Sequence, residues 1–268
     1  MNSDSQAANW RNLNHAWWDE RAPLHAQSEF YRQAAKGLEN FEWEDLGSIE
    51  GLEVVHPQCH IGTDTLSLAR NGANVVGLDF SATAIHAAGQ LATASGLAPQ
   101  CEWVVSDVYD APLTLQGRKF DLVYTGKGAL CWLPDMDRWA GAMWELCRPA
   151  GHLYLCEFHP LMDQLSEQDM GFERSYFPIG GEVYSGVGSY AVPEAQLLHN
   201  TAVDFIHPIS EVIQALVTVG FCLVQIREFP LVVFERWPWL VPRGDGVWEM
   251  PEDQPSIPMM YSLLLSKP

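Results

Sequence analysis

Residues 54–79 read Val54-Val55-His56-Pro57-Gln58-Cys59-His60-Ile61-Gly62-Thr63-Asp64-Thr65-Leu66-Ser67-Leu68-Ala69-Arg70-Asn71-Gly72-Ala73-Asn74-Val75-Val76-Gly77-Leu78-Asp79. An apolar strand over 52–55 runs into a tight turn at 58–62. A helix follows with Leu66, Leu68 and Ala69 on its buried side. The Gly72-Ala73 loop leads to a second apolar strand over 75–78, which ends on the carboxylate of Asp79. This is one βαβ unit, the opening of a parallel sheet. In such sheets ligands lie outside the carboxyl ends of the strands, so the turn and Asp79 face one crevice. A carboxylate there accepts from both hydroxyls of a ribose, which points to a nucleoside-containing ligand.

Outward from this unit, strand and helix alternate. Ser81 is placed to cap a helix over 82–95, which Gly96 ends. Strands are expected at 101–105, 121–124 and 152–158, with a helix from Pro134 to about Cys147 and a turn at Pro149-Ala150-Gly151. The core resumes with a helix over 209–219, capped by Ser210 or a residue just before it, then strands over 221–227 and 260–265. Four segments result: an N-terminal helical lid (1–50), a ligand-binding core (51–160), a cap insertion (161–205) and the C-terminal part of the core sheet (206–268).

The N-terminal segment reads as helices over 14–21 and 28–38, separated at Ala22-Pro23, with an aromatic face that includes Trp18 and Tyr31. Glycines and tyrosines scattered through 161–205 imply short antiparallel strands. This insertion follows the carboxyl end of a strand, so it is placed to cap the ligand side. The Pro-rich stretch from 230 to 258 reads as a long ordered connection on one face.

The chain has 268 residues, 47% hydrophobic and 18% charged, which suits a globular α/β protein. Its net charge of -19 would repel a polyanion, so nucleic acid ranks low as a partner. The six cysteines include no C-x-x-C pair and suit free thiols in a reducing compartment. No apolar run approaches the roughly 18 residues of a membrane span. A cytoplasmic protein with no membrane partner and no metal site, monomeric or homodimeric, is expected.

The order of these pieces resembles the class I S-adenosylmethionine-dependent methyltransferases, over residues 50–229 plus the final strand. Four landmarks carry the resemblance: the turn from His56 to Gly62; Asp79 in Gly77-Leu78-Asp79-Phe80-Ser81; Asp107 in Ser106-Asp107-Val108; and Phe120-Asp121-Leu122-Val123-Tyr124 running into Thr125-Gly126-Lys127. The His-x-Gln-Cys-His-x-Gly-x-Asp-Thr turn and Trp18-Asp19-Glu20-Arg21-Ala22-Pro23 look like one bacterial branch of that superfamily. The resemblance implies a Rossmann-like, doubly wound sheet of seven strands with the last antiparallel. It also implies S-adenosylmethionine as cofactor and S-adenosylhomocysteine as product.

The family pattern has an acid and three glycines across the turn. Here His56 stands for the acid, and Gln58 and His60 stand for the first two glycines, leaving Gly62. Gln58 can donate to the cofactor carboxylate and accept from its amino group. By resemblance, cofactor contacts fall on Gln58, Cys59, His60, Gly62, Asp64, Thr65, Asp79, Phe80, Ser81, Asp107, Val108, Gly126 and Lys127. Asp79 would take the ribose hydroxyls, Asp107 the adenine amino group, and Asp64 the turn or the methionine amino group. Trp18 and Tyr31 would close over the sulfonium, whose charge favours aromatic faces. Lys127 has solvent as its alternative.

Methyl transfer needs in-line positioning and exclusion of water more than it needs a base. If one is used, His159, Tyr176 and His199 are the candidates, with His207, Tyr190 and Glu157 behind them, whereas His25 joins Trp18 and Tyr31 among the residues that would close over the cofactor. The implied function is methyl transfer to a small organic molecule. The alternative is a non-catalytic protein that binds the cofactor or its product on the same fold, motivated by the two missing glycines. An NAD-dependent dehydrogenase would also use Asp79, but the turn lacks G-x-G-x-x-G.

Overall fold

The computed structural model describes residues 3–34, 37–177, 180–244 and 246–268. In chain order the elements are α1 (Ser3–Gln27), α2 (Glu29–Ala34), α3 (Asn40–Leu46), β1 (Glu53–Pro57), α4 (Thr63–Arg70), β2 (Asn74–Asp79), α5 (Ala82–Ala94), β3 (Cys101–Val105), α6 (Ala111–Thr114) and β4 (Phe120–Thr125). They continue as α7 (Met136–Leu146), β5 (Cys147–Phe158), β6 (Glu182–Ser185), β7 (Thr201–Asp204), α8 (Ile209–Thr218), β8 (Cys222–Phe229), β9 (Leu231–Val232), β10 (Val241–Gly244), β11 (Val247–Glu249) and β12 (Met260–Ser266).

Seven strands form one sheet in the order β3-β2-β1-β4-β5-β12-β8. Pairing is parallel from β3 to β5, and β12 runs antiparallel to both of its neighbours. The expected seven-stranded, doubly wound sheet with its last strand reversed is therefore present. Alternate residues serve opposite faces, as a pleated strand requires. Val55, Val123, Leu153 and Leu155 join the core against α7 and α8, whereas Val54, Leu122, Tyr124, Tyr154 and Cys156 join the core on the other face. Strand order reverses between β1 and β4, so the crevice opens at their carboxyl ends.

Helix α1 departs from the expectation of a break at Ala22-Pro23: it runs through Pro23. A proline has no N–H for the carbonyl four residues back, here that of Asp19. The Thr83 hydroxyl donates to the Asp19 carbonyl at 2.6 Å and replaces the lost partner. Beyond it, α2 and α3 occupy Glu29–Ala34 and Asn40–Leu46 rather than one helix over 28–38, of which residues 35–36 lie outside the described set. Helix α8 is preceded by Pro208, which leaves Ser210 inside the helix rather than at its cap.

The turn expected at Pro149-Ala150-Gly151 is a bulge within β5. The register jumps from Phe120↔Cys147 to Leu122↔His152, and Ala150 adopts φ 59. The chain end stitches this bulge shut, with Ala150 N–H donating to the Lys267 carbonyl and Lys267 N–H to that of Gly151, both at 2.9 Å.

The insertion carries an antiparallel hairpin, β6 with β7, and the Pro-rich stretch forms a small sheet, β10-β11-β9. Helix α1 pins the hairpin region to the core. Asn14 exchanges two hydrogen bonds of 2.8 Å with the backbone of Val203. The buried Arg21 guanidinium lies over the Trp17 ring and donates to the carbonyls of His199 and Gly188. All six cysteines are free thiols. No helix among the described residues is long and apolar enough to cross a membrane.

Candidate functional site

The turn after β1 holds the backbone that glycines would favour, although two of its residues are not glycine. Gln58 and His60 adopt φ 58 and 50, and Gly62 adopts φ 78. Left-handed backbone costs a residue with a Cβ about 1 kcal/mol. Gln58 has a compensating contact: its Nε2 donates to the Ala129 carbonyl at 2.9 Å. At Gly62 a Cβ would stand 2.4 Å from the Trp103 ring, so any other residue would have to displace that ring.

Asp79 ends β2 beside this turn. One carboxylate oxygen accepts from the His60 N–H and the other from the Ser81 N–H, both at 2.9 Å. The side chain is buried, and burial raises its pKa to about 6 against those two donors. A carboxylate has about four acceptor positions, so two remain for further donors. Ser81 caps α5, accepting from the Ala84 N–H at 3.1 Å and donating to Asp19 at 2.8 Å. Phe80 packs edge-on against His15, and Val108 is buried. Asp107 accepts from the Tyr109 N–H at 2.9 Å and meets Arg11 of α1 at 3.3 Å.

Around the neighbouring end of β4 lies a buried ionic network. Lys127 Nζ stands 2.7 Å from Glu42 and 3.4 Å from Asp64, and the Tyr124 hydroxyl donates to both carboxylates. Burial opposes ionisation of Asp64, but the Lys127 ammonium and its other neighbours outweigh it and lower the pKa. Lys127 thus turns neither to solvent nor to an open site, because two acids inside the protein hold it. His56 donates to or accepts from Thr65 Oγ1 at 2.9 Å, and burial depresses its pKa to about 4. Cys59 is a packed thiol, raised well above its usual pKa by burial, so only its backbone belongs to the turn.

Several polar atoms here are buried without a partner among the described residues: Gln58 Oε1, Thr125 Oγ1, His60 Nε2 and His25 Nδ1. A Cβ on Gly126 would lie 3.3 Å from Asp64 Oδ2 and 3.4 Å from His56 Nε2, so glycine keeps a polar cradle open. Asp79 and Asp107 fit a ribose and an adenine. Gln58 Oε1 and the Asp64 carboxylate fit an ammonium group. These residues suit a nucleoside joined to an amino acid.

An aromatic cluster lies over the turn. Trp18 meets His25, His60 and Trp132 edge-on at 5.7, 5.2 and 5.1 Å, and Tyr31 stacks on His25 at 5.2 Å. The Tyr31 and Tyr190 hydroxyls share a hydrogen bond. Burial keeps both imidazoles neutral, pushing His25 down to about 2 and His60 to about 4.

Trp132 also borders a cavity of about 510 Å³ at the carboxyl ends of β4 and β5, roofed by Glu182, Tyr184 and Asp204 of the hairpin. Glu157 organises its floor: its carboxylate accepts the N–H groups of Gly128, Ala129, Leu130 and Phe158 at 2.7–2.9 Å.

The base candidates from sequence are not brought together. His159 was expected to face the cleft. Instead its Nδ1 accepts from the Leu161 N–H at 3.1 Å and its Nε2 pairs with Glu228 at 3.0 Å, which leaves no free lone pair. His199 is exposed, with its backbone held by Glu20 and Arg21. Tyr176 packs edge-on against Phe177. His207 borders the cavity, but both ring nitrogens are engaged, with the Leu133 carbonyl and Glu211. Arg11, Asp19, Glu42, Arg174 and Arg236 were not anticipated, because no local pattern marks a partner so distant in sequence.

Residues 54–151 match the family model described as a methyltransferase domain. Curated relatives include a ubiquinone biosynthesis O-methyltransferase of Ralstonia nicotianae, 29% identical over 55% of this chain and 58% of that protein. Another is a trans-aconitate 2-methyltransferase of Deinococcus radiodurans, 36% identical over 38% of this chain and 36% of that protein. The chain therefore spans about half the length, or less, of the curated relatives it matches. Among solved structures, an S-adenosylmethionine-dependent methyltransferase from Mesorhizobium loti shares the fold at a TM-score of 0.56, with 19% identity over 84% of this chain and 97% of that one.

Proposed function

We propose, from the premise that this chain belongs to the class I S-adenosylmethionine-dependent methyltransferase superfamily, that it transfers a methyl group to an oxygen of a small organic molecule. The observation that carries this reading is the glycine-like backbone of Gln58 and His60. Two of the turn's glycines are replaced, yet a glycine-like backbone supports the cofactor reading, as do Asp79 at the end of β2 and Asp107 just after β3.

Bound there, S-adenosylmethionine would supply an already activated sulfonium methyl. Asp79 would accept the ribose hydroxyls with the acceptor positions its two backbone donors leave free. Asp107 would take the adenine amino group in exchange for Arg11. Gln58 Oε1 and Asp64 would receive the methionine ammonium, and Trp18 and Tyr31 would cover the site and exclude water. The cavity bordered by Trp132 would seat the acceptor in line with the reacting bond. Residues 1–50 then act as a lid, 51–160 with 206–268 as the catalytic core, and 161–205 as a cap over the acceptor. Free thiols suit a cytoplasmic setting.

Calorimetric titration with S-adenosylmethionine and S-adenosylhomocysteine tests the cofactor assignment. Release of S-adenosylhomocysteine over a panel of hydroxylated and carboxylated acceptors tests the reaction. Binding without turnover over such a panel would favour the non-catalytic alternative, and no binding of either ligand would remove both readings.

A further inference from the structure

We propose that the hairpin-roofed cavity recognises an acceptor that carries a protonated amine, with the ammonium against Asp163 and Asp204 and an oxygen of the same molecule facing Tyr261. This rests on the methyl-transfer reading and names the substrate class of that same site.

Its volume of about 510 Å³ suits a small organic molecule. Four carboxylates (Glu157, Asp163, Glu182, Asp204) and two guanidiniums (Arg174, Arg236) line it. The guanidiniums offset only part of this acidity, since four acids against two cations leave two acids in excess. Arg174 is spent on Glu182 and Asp204, and Arg236 pairs with Asp163. The excess negative charge is felt by neighbouring groups. Burial raises the Asp204 pKa, and Asp163 and Glu182 push the same way against Arg174. The Cys131 thiol on the same wall is raised by burial and then by Glu157, Asp163 and Asp204, which outweigh Arg236. An entering cation relieves this potential and an entering anion opposes it. Phe158, Tyr184 and Phe205 add aromatic faces that favour a cation.

A second, independent observation gives the ligand its oxygen. Tyr261 is 2% exposed and borders the cavity, yet its hydroxyl has no hydrogen-bond partner among the described residues. Burial holds that phenol protonated, so it is a donor. Arg236 Nε–H, in the same wall, is also buried without a partner. Two unspent donors call for an oxygen, as the acids call for an amine. The chain's net charge of -19 steers cations toward the protein.

The test uses three molecules on one 4-ethylphenol frame that differ in charge: tyramine (cation), 4-ethylphenol (neutral) and 3-(4-hydroxyphenyl)propionate (anion). Each is titrated calorimetrically into the full chain, with and without S-adenosylhomocysteine. Tyramine is expected to bind about tenfold tighter than 4-ethylphenol, the scale of one charge-assisted contact, and the propionate weakest. Asp163→Asn should remove most of that preference and leave 4-ethylphenol binding unchanged. Asp204→Asn, checked for folding by circular dichroism, should do the same. Equal binding of tyramine and 4-ethylphenol, tighter binding of the propionate, or no tyramine binding at millimolar concentration would overturn the proposal. A chain that binds tyramine but not S-adenosylhomocysteine would keep the amine seat and remove the methyl-transfer reading.

Discussion

Arg11 Nη1 stands 3.3 Å from Asp107 Oδ2, so the N-terminal helix sets a cation on the carboxylate that follows the third strand. The same helix binds Ser81 and Thr83 through Asp19, and the Phe80 carbonyl through His15. It therefore competes for the groups an adenosine would use. Arg11→Ala should raise cofactor affinity, and calorimetry reads the change. The pair is partly solvated, so the gain is small, about 0.2–1 kcal/mol or at most about fivefold. A fall in affinity would instead assign Arg11 to the bound complex.

Asp79 makes both stability and binding depend on pH. Burial raises its folded pKa from 3.8 to about 6, so the folded chain holds a proton that the unfolded chain releases. Stability from this group is full below the unfolded pKa. It is lost as pH rises through about 6, by roughly 3 kcal/mol in all. Asp79→Asn should therefore flatten the melting temperature between acid and neutral pH, and should raise it near neutrality even after one backbone N–H loses its acceptor. Ribose hydroxyls favour the ionised carboxylate, so wild-type cofactor affinity should fall below about pH 6. In Asp79→Asn affinity should be weaker by about 1.5–3 kcal/mol near neutrality and insensitive to pH. Unchanged affinity would refute the ribose role.

Gln58→Gly separates the backbone of the turn from its side chain. Glycine relieves the cost of φ 58, about 1 kcal/mol, and loses the bond to the Ala129 carbonyl, about the same. Denaturant unfolding should show little change. Cofactor affinity should drop several-fold, because Gln58 Oε1 is the unpartnered acceptor offered to the ammonium. If affinity holds while stability changes, Gln58 only shapes the turn.

The difference between what the sequence disclosed and what it hid lies in the range of the interactions. The βαβ unit around Gly62 and Asp79 was legible because period-two strands, a helix cap at Ser81 and terminal acids are local signals. Helix α1 was misread at Pro23, because the group that rescues it, Thr83, is 60 residues away along the chain (83 minus 23) and becomes a neighbour only after folding. His159 failed as a base for the same reason: Glu228 reaches it through the pairing of β8 and β12. Lys127 was assigned to solvent or ligand because nothing near it in sequence announces Glu42.

Lys127 and Glu42 form the pair on which the floor of the site depends. Their ionised groups lie 2.7 Å apart, with Lys127 12% exposed and Glu42 fully buried, and the two acids hold the Lys127 pKa well above its usual value despite burial. Lys127→Met would leave Glu42 charged and unpaired inside the protein, which costs about 3–5 kcal/mol. Adding Glu42→Gln should recover more than half of that loss, because no isolated charge then remains buried and Asp64, at 22% exposed, can draw on water. Urea unfolding of the two variants measures this directly. A loss below about 1 kcal/mol in Lys127→Met would mean that water reaches Glu42 and that the pair is no stronger than a surface one.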